Sequence, residues 1–258
     1  LDAAGQPRAV AGVPPDYFSR TGQRWGNQLY DWTRLQADGF RWWIERLRTQ
    51  LDLFDLVRID HFRGFEACWR IPVDADTAIN GRWVPAPGEA LFQALQDEFG
   101  TLPVVAEDLG LITPAVRRLR ERFGFPGMRV LQFAFDGGAD NPYLPHNHEV
   151  NSVVYTGTHD NDTTLAWFES LPVEQQRVVL DYLGHPREPM PWPLLRAALA
   201  SVAQLVILPM QDVLQLGSGH RMNIPGSNSG NWQWRLEWAD VPPGLADRLR
   251  HLLRVYGR

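Results

Sequence analysis

Hydrophobic positions recur along this chain in two alternating rhythms, one of three and four residues and one of short unbroken runs. In DGFRWWIERLRTQLD (38–52), apolar Phe40, Trp43, Ile44, Leu47 and Leu51 fall at spacings of three and four. That spacing predicts a helix with one buried face. The apolar run LFDLVRID follows and predicts a strand, and the alternation then repeats. GEALFQALQDEFG (88–100) predicts a helix, and LPVVAEDLG a strand that ends in acids. TPAVRRLRERFG (113–124) predicts a helix with Thr113 as its cap and Pro114 at its first position. MRVLQFAF predicts a strand and VNSVVYTGTHDND another, again ending in acids, with helices around TTLAWFESL. PWPLLRAALAS predicts a helix and AQLVILPMQDVL a last strand. The predicted strands lie near 53–59, 103–107, 129–135, 151–156 and 205–209, and irregular stretches at 1–31, 136–150 and 210–234.

Strands that alternate with helices and are apolar throughout imply a parallel sheet covered on both faces. Such a sheet carries function at its strand C-termini when closed into an eight-stranded barrel. A doubly wound open sheet obeys the same end-of-strand rule, but no Gly-rich dinucleotide loop follows any strand here. Five strand–helix units are too few to close a barrel, so the first strands are expected upstream of residue 1.

Composition narrows the chemistry. The chain has 258 residues, a net charge of −5 and a pI of about 5.8, which argues against nucleic acid or an anionic membrane surface as partner. All 25 basic residues are arginine, so a Walker-type phosphate loop and a Schiff-base lysine are excluded. Cys68 stands alone, which excludes an internal disulfide or a multi-cysteine zinc site; it is read as a small core residue. No apolar run approaches the ~18 residues of a spanning helix. The opening LDAAGQPRAV has neither an initiator methionine nor the charged-then-apolar pattern of a signal peptide. The expectation is a piece of a longer, cytoplasmic protein. Among the 11 tryptophans several sit in Gly/Asn/Ser-rich loops, where flat rings suit the apolar faces of sugars.

Three predicted strands end in an acid: LVRID at Asp60, PVVAE at Glu107 and VVYTGTHD at Asp160. Parallel strands would place all three on one rim of one sheet, where they repel unless chemistry or a metal holds them. A hard cation needs more oxygen ligands than these acids guarantee. Glycoside chemistry fits better, since it pairs one ionised with one protonated carboxyl. Arg58, two residues before Asp60, points to the same side of the strand and keeps Asp60 ionised, as a nucleophile requires. Glu107, among apolar neighbours, is expected to have a raised pKa, as suits a general acid, with Asp108 as the better cap for the following helix. His159-Asp160 fits hydrogen bonding to sugar hydroxyls.

RIDHFRGF, AEDLG and TGTHDND resemble the signature segments of the α-amylase superfamily of barrels. Together with GVPPDYFSRTGQRWGNQLYDW (12–32) and RMNIPGSNSGNWQWR (221–235), they closely resemble the 4-α-glucanotransferases known as amylomaltases or disproportionating enzymes, over essentially the whole chain. The resemblance implies a (β/α)8 TIM barrel of which residues 1–258 are the C-terminal portion, roughly strands 4–8, with 12–32 as a lid-like loop. It implies Asp60 as nucleophile, Glu107 as acid/base and Asp160 as the third carboxylate, which grips sugar hydroxyls. Arg58 and His159 resemble supporting residues, and His61 a residue facing the acceptor. Trp25, Phe133 and, more weakly, Asn231 resemble subsite residues. The implied substrates are maltooligosaccharides and α-1,4-glucans derived from starch or glycogen, with no cofactor and no metal, and with the missing N-terminal half required. The rivals are an α-glucan hydrolase of the same superfamily and a catalytically silent glucan-binding protein. A binding module has no use for a matched acid and nucleophile.

Overall fold

The computed structural model describes residues 4–16 and 19–258, and the chain divides into two units, Leu1–Gly127 and Met128–Arg258. The first unit opens with strands where an irregular stretch was expected. β1 (Ala9–Val13) pairs antiparallel with β2 (Gln23–Gln28), which carries Trp25 out of the expected loop and onto a strand. β2 reads QRWGNQ and is largely exposed at the sheet edge, so it shows none of the apolar alternation that marks a half-buried strand. The strands approach so closely at Gly12 that a Cβ there would stand 2.0 Å from the Gln23 carbonyl oxygen. Tyr17 and Phe18, in the connection between these strands, lie outside the described residues.

α1 (Trp32–Ala37) starts at Asp31, whose carboxylate accepts from the Arg34 N–H at 3.1 Å. The predicted helix over 38–52 is α2 (Arg41–Leu51), and Phe40, in the left-handed region at φ 58°, separates it from α1. β3 (Val57–Ile59) is shorter than the expected 53–59, and Leu53, Phe54 and Leu56 are exposed. β4 (Ala67–Pro72) and β5 (Arg82–Pro85) complete an antiparallel sheet of order β2-β1-β4-β5. α3 (Gly88–Phe99), β6 (Val104–Ala106) and α4 (Pro114–Arg122) follow as the rhythm predicts. β3 and β6 pair in parallel, Val57 with Val104, Arg58 with Val105 and Ile59 with Ala106. Both are three residues long, so the pairing supports no longer β3.

Beneath this pair lies a core that includes Phe62, Phe65, Leu91, Phe92, Leu95, Val116 and Phe125. Phe62 stacks on Phe92 at 5.5 Å and meets Phe125 edge-on at 6.0 Å, which anchors the chain two residues beyond Asp60. The α4 cap is Thr113, whose hydroxyl accepts from the Val116 N–H at 3.4 Å, with Pro114 at the first position as expected. Asp108, expected as a cap for that helix, instead meets Arg120 in a buried ion pair at 3.2 Å. Gly127 lies against that pair so closely that a Cβ would stand 2.2 Å from an Arg120 nitrogen.

The second unit begins one residue into β7 (Gly127–Val130) and contains β8 (Ser152–Tyr155), α5 (Thr164–Ser170), α6 (Val173–Tyr182) and α7 (Trp192–Ala200), then β9 (Leu205–Ile207), α8 (Met210–Val213) and α9 (Leu245–Tyr256). Its sheet has the order β7-β8-β9, with β8 and β9 parallel. The strand expected over 129–135 ends at Val130, where a 3-10 turn over Leu131–Phe133 takes over. Phe133 therefore sits in a turn, not at a strand end. α9 was not anticipated, although its Leu245, Leu249 and Leu252 fall at helical spacing and pack with Trp192, Leu195 and Leu199 of α7. The sheets are open, as expected of too few units to close a barrel, but the five expected strands are divided between β3-β6 and β7-β8-β9 rather than hydrogen-bonded as one sheet.

The Asp108–Arg120 pair generates a stability prediction, since the two side chains are only 6% and 4% exposed. Asp108→Ala would remove the nearer, buried carboxylate that meets the Arg120 guanidinium and leave the exposed Glu121 at 3.8 Å, at an expected cost of about 3 kcal/mol. Urea unfolding of the variant should show the midpoint fall at an unchanged slope, and a shift under about 1 kcal/mol would mean that solvent reaches Arg120.

Candidate active site

The parallel register of β3 and β6 continues one residue past each strand. The Glu107 N–H donates to the Ile59 carbonyl at 3.0 Å, and the Phe62 N–H donates to the Glu107 carbonyl at 3.0 Å. Asp60 and Glu107 therefore leave adjacent strands at the same level, and neighbouring strands lie ~4.8 Å apart. This much of the predicted acidic rim is one sheet edge.

The two carboxyls have opposite surroundings. Asp60 is 79% exposed, and its Oδ1 accepts from Arg58 Nη1 at 2.9 Å, the pairing expected from their spacing. Glu107 is half-buried; its Oε2 accepts from the His61 N–H at 2.7 Å and its Oε1 from the Leu109 N–H at 2.9 Å. Burial pushes its pKa up to about 7, helped by the nearby Asp60 charge and opposed by the two N–H donors and Arg58. One side is an exposed carboxylate beside a guanidinium. The other is a carboxyl poised to hold or release a proton near neutrality.

His61 links them. Its backbone is left-handed at φ 48°, an uncommon state for a residue with a side chain, and that turn aims its N–H at Glu107. Burial pushes the imidazole down to about 4, so the ring is neutral at physiological pH. Trp25 packs edge-on against it at 4.7 Å. A cavity of about 770 Å³ opens beside them, lined by Trp25, Tyr30, Trp43, Arg58, Asp60 and His61 among others. Four of the predicted site residues thus face one space.

Arg63 was not singled out in the sequence. It is buried, lies 3.7 Å from the Trp83 ring centre and donates to the Leu111 carbonyl at 2.7 Å, tying the loop after Asp60 to the loop after Glu107. Its partner is 48 residues away, and no local spacing reveals such a contact.

Asp160 and His159 belong to the second unit, in the loop that follows β8. Asp160 Oδ1 accepts from Asn223 Nδ2 at 2.6 Å, its carbonyl from Arg221 Nη2 at 2.7 Å, and His159 Nε2 stands 3.5 Å from Asp160 Oδ2. The Trp232 ring lies 5.1 Å from His159. Arg221, Asn223 and Trp232 all fall within RMNIPGSNSGNWQWR, a segment quoted in the sequence for its resemblance rather than for these residues. Asn231 lies in the same segment. Its amide is engaged within the loop, accepting from the Ile224 N–H at 3.0 Å and donating to the Ser227 carbonyl at 3.1 Å, so it braces the segment. Phe133 packs edge-on against Tyr143 at 5.6 Å, and its carbonyl accepts from Asn141.

Among the described residues, no group of three or more His, Cys, Asp or Glu side chains is arranged to hold a metal ion, and no helix is long and apolar enough to cross a membrane.

A family model described as 4-alpha-glucanotransferase matches residues 2–240 of the chain. The 4-alpha-glucanotransferase of Thermus thermophilus is 57% identical over 266 residues, covering 100% of this chain and 53% of that protein. The 4-alpha-glucanotransferase of Synechocystis sp. is 53% identical, covering 98% of this chain and 51% of its own. In three dimensions the chain is similar to the amylomaltase from Streptococcus agalactiae solved in complex with acarbose, with a TM-score of 0.96 and 42% identity over 100% of this chain and 52% of that one. The shared fold is α/β. The chain spans about half the length of the curated relatives it matches.

The raised Glu107 pKa carries a linkage consequence. An acid held protonated more tightly in the folded than in the unfolded state stabilises the fold below its ordinary value of 4.5, and that contribution is lost as pH rises through about 7. Glu107→Gln cannot ionise and escapes the loss. Its melting temperature relative to the unaltered protein should rise between about pH 5 and about pH 8. An offset that stays constant over that range would mean that Glu107 titrates as an ordinary carboxyl.

Proposed function

The chain belongs to the 4-alpha-glucanotransferase family, and from that premise we propose that the protein carrying it moves α-1,4-glucan segments between maltooligosaccharides by a retaining double displacement. The observation that carries the reading is the pair at the ends of β3 and β6: an exposed Asp60 held by Arg58 next to a half-buried Glu107 pushed up to about 7. Retention calls for carboxyls about 5–5.5 Å apart, the scale set by adjacent strands. The acarbose bound by the Streptococcus agalactiae relative supports a glucan ligand here.

In the first step Asp60 attacks the anomeric carbon while Glu107 gives its proton to the departing 4-oxygen. The C–O bond breaks, a shortened glucan leaves, and the sugar stays on Asp60 as an ester. In the second step the 4-hydroxyl of another glucan gives its proton to Glu107 and attacks the same carbon, which frees Asp60. A carboxyl with a pKa near 7 serves both directions at neutral pH. Asp160 is read as the carboxylate that grips sugar hydroxyls in the transition state, supported by the TGTHDND match and by its anchoring on Asn223. His61, neutral and packed on Trp25, is read as facing the acceptor.

The reading extends to architecture. β3, β6, β7, β8 and β9 are assigned as strands four to eight of a (β/α)8 barrel, with the remaining strands in the part of the relatives' length that this chain does not span. The open sheets and the twofold length of the relatives support that assignment.

The polypeptide that carries this sequence, incubated with maltotriose, should yield glucose together with a ladder of longer maltooligosaccharides. Asp60→Asn should lower turnover by about 10³-fold or more while glucan binding largely survives. Glucose and maltose with nothing longer would mean hydrolysis and would overturn the transferase reading.

Trp25 is expected to help seat the acceptor and exclude water. Trp25→Ala should raise the ratio of hydrolysis to transfer by about threefold or more, and an unchanged ratio would remove that role.

A further inference from the structure

Asp212, on α8, is 1% exposed, and among the described residues the hydrogen bonds its carboxylate accepts all come from neutral groups. Oδ2 accepts from the Thr156 hydroxyl at 2.6 Å and from the Thr164 hydroxyl at 2.6 Å, and Oδ1 accepts from the Thr164 N–H at 2.7 Å. Burying a carboxylate without a cation is costly, and burial outweighs the three donors to push its pKa above the ordinary range. An aliphatic side chain would avoid that cost but would leave the buried Thr164 N–H and two buried hydroxyls without this acceptor. What it could not do is bind two separate segments of backbone at once.

The segments it binds are telling. Thr156 is the first residue after β8 and Thr164 the first residue of α5, and both are fully buried. Residues 157–163 between them form the loop that carries His159 and Asp160. One carboxylate therefore holds both feet of that loop. Above the feet the loop is braced by Gln132 Nε2 on the Asp162 carbonyl at 3.0 Å, by Thr158 Oγ1 on Asn161 at 2.8 Å, and by the Arg221 and Asn223 contacts to Asp160. The Asp160 side chain itself remains 48% exposed.

We propose that Asp212 is a positioning residue for Asp160: by clamping Thr156 and Thr164 together it sets the height and direction of the Asp160 carboxylate without touching substrate. The proposal rests on the transfer reading above. It predicts a loss in turnover rather than in ground-state binding, because an interaction made in the transition state tolerates little displacement.

The test uses the complete polypeptide with maltotriose, together with hydrogen exchange at the amides of 157–163. Asp212→Ala should speed exchange in that loop and lower kcat about 30-fold while KM stays within about threefold. Asp212→Asn should restore kcat to within about threefold of the unaltered protein, because its Oδ1 still accepts from Thr164 N–H and its Nδ2 donates to hydroxyls free to rotate. Thr156→Val frees one foot, should lower kcat about 3- to 10-fold, and serves if the alanine variant fails to fold. Unchanged exchange in 157–163 would overturn the clamp, and faster exchange with unchanged kcat would overturn the positioning role. Faster exchange in a protein whose unaltered form makes no transfer products would uphold the clamp and overturn the transfer reading instead.

Discussion

The hydrogen bonds that pair Ile59 with Ala106, and then run on from the Glu107 N–H to the Ile59 carbonyl, set the register on which the candidate site depends. A parallel ladder has no freedom to shift by one residue without turning every side chain to the other face. With that register in place, Asp60 and Glu107 must emerge next to each other. Their chemical difference then follows from what surrounds each of them. Asp60 leaves toward solvent with Arg58 beside it, while Glu107 is enclosed by the turn at His61 and the loop at Leu109. The two N–H donors favour the ionised form of Glu107, yet burial outweighs them, and the result is a group near 7.

Buried polar anchors recur around the proposed functional loops. Asp108 next to Glu107 meets Arg120, Arg63 spans from the Asp60 loop to Leu111, and Asp212 holds Thr156 and Thr164. Each is costly to bury, and replacing it alone would leave a buried partner unsatisfied. Each joins backbone segments that no continuous helix or strand connects. The loops that leave strand ends have few backbone partners of their own, so side-chain donors and acceptors supply the rigidity that a ladder supplies elsewhere. The His61 turn belongs to the same pattern, since a left-handed residue persists only where its surroundings over-determine it.

Much of the first-order picture was legible in the sequence. The helix periodicity over 38–52, 88–100 and 113–124 appeared as α2, α3 and α4, with Thr113 and Pro114 at the start of α4 as their chemistry requires. The two-residue spacing of Arg58 and Asp60 foretold their ion pair. The antiparallel sheet was not legible, because β2 is polar and exposed, β5 is only four residues long, and β4 pairs on its other side with β1, far back along the chain. The bracing contacts of Asn231 to Ile224 and Ser227 were likewise not legible, because an Asn in a Gly/Ser-rich loop has no single partner written in its spacing.

By itself the sequence determined the alternation of elements, the placement of an acid after each of three strands, and the family to which the chain belongs. These are local properties, written in period, spacing and residue type. Only the tertiary structure decided that Glu107 sits near neutrality while Asp60 stands in water, that Arg63, Asn223 and Asp212 hold the loops, and that Asp108 is an ion-pair partner and not a cap. A pKa depends on every dipole and cavity within a few ångströms, and a buried hydrogen bond on a partner that can lie 48 or 56 residues away. Neither quantity exists until the chain has closed on itself.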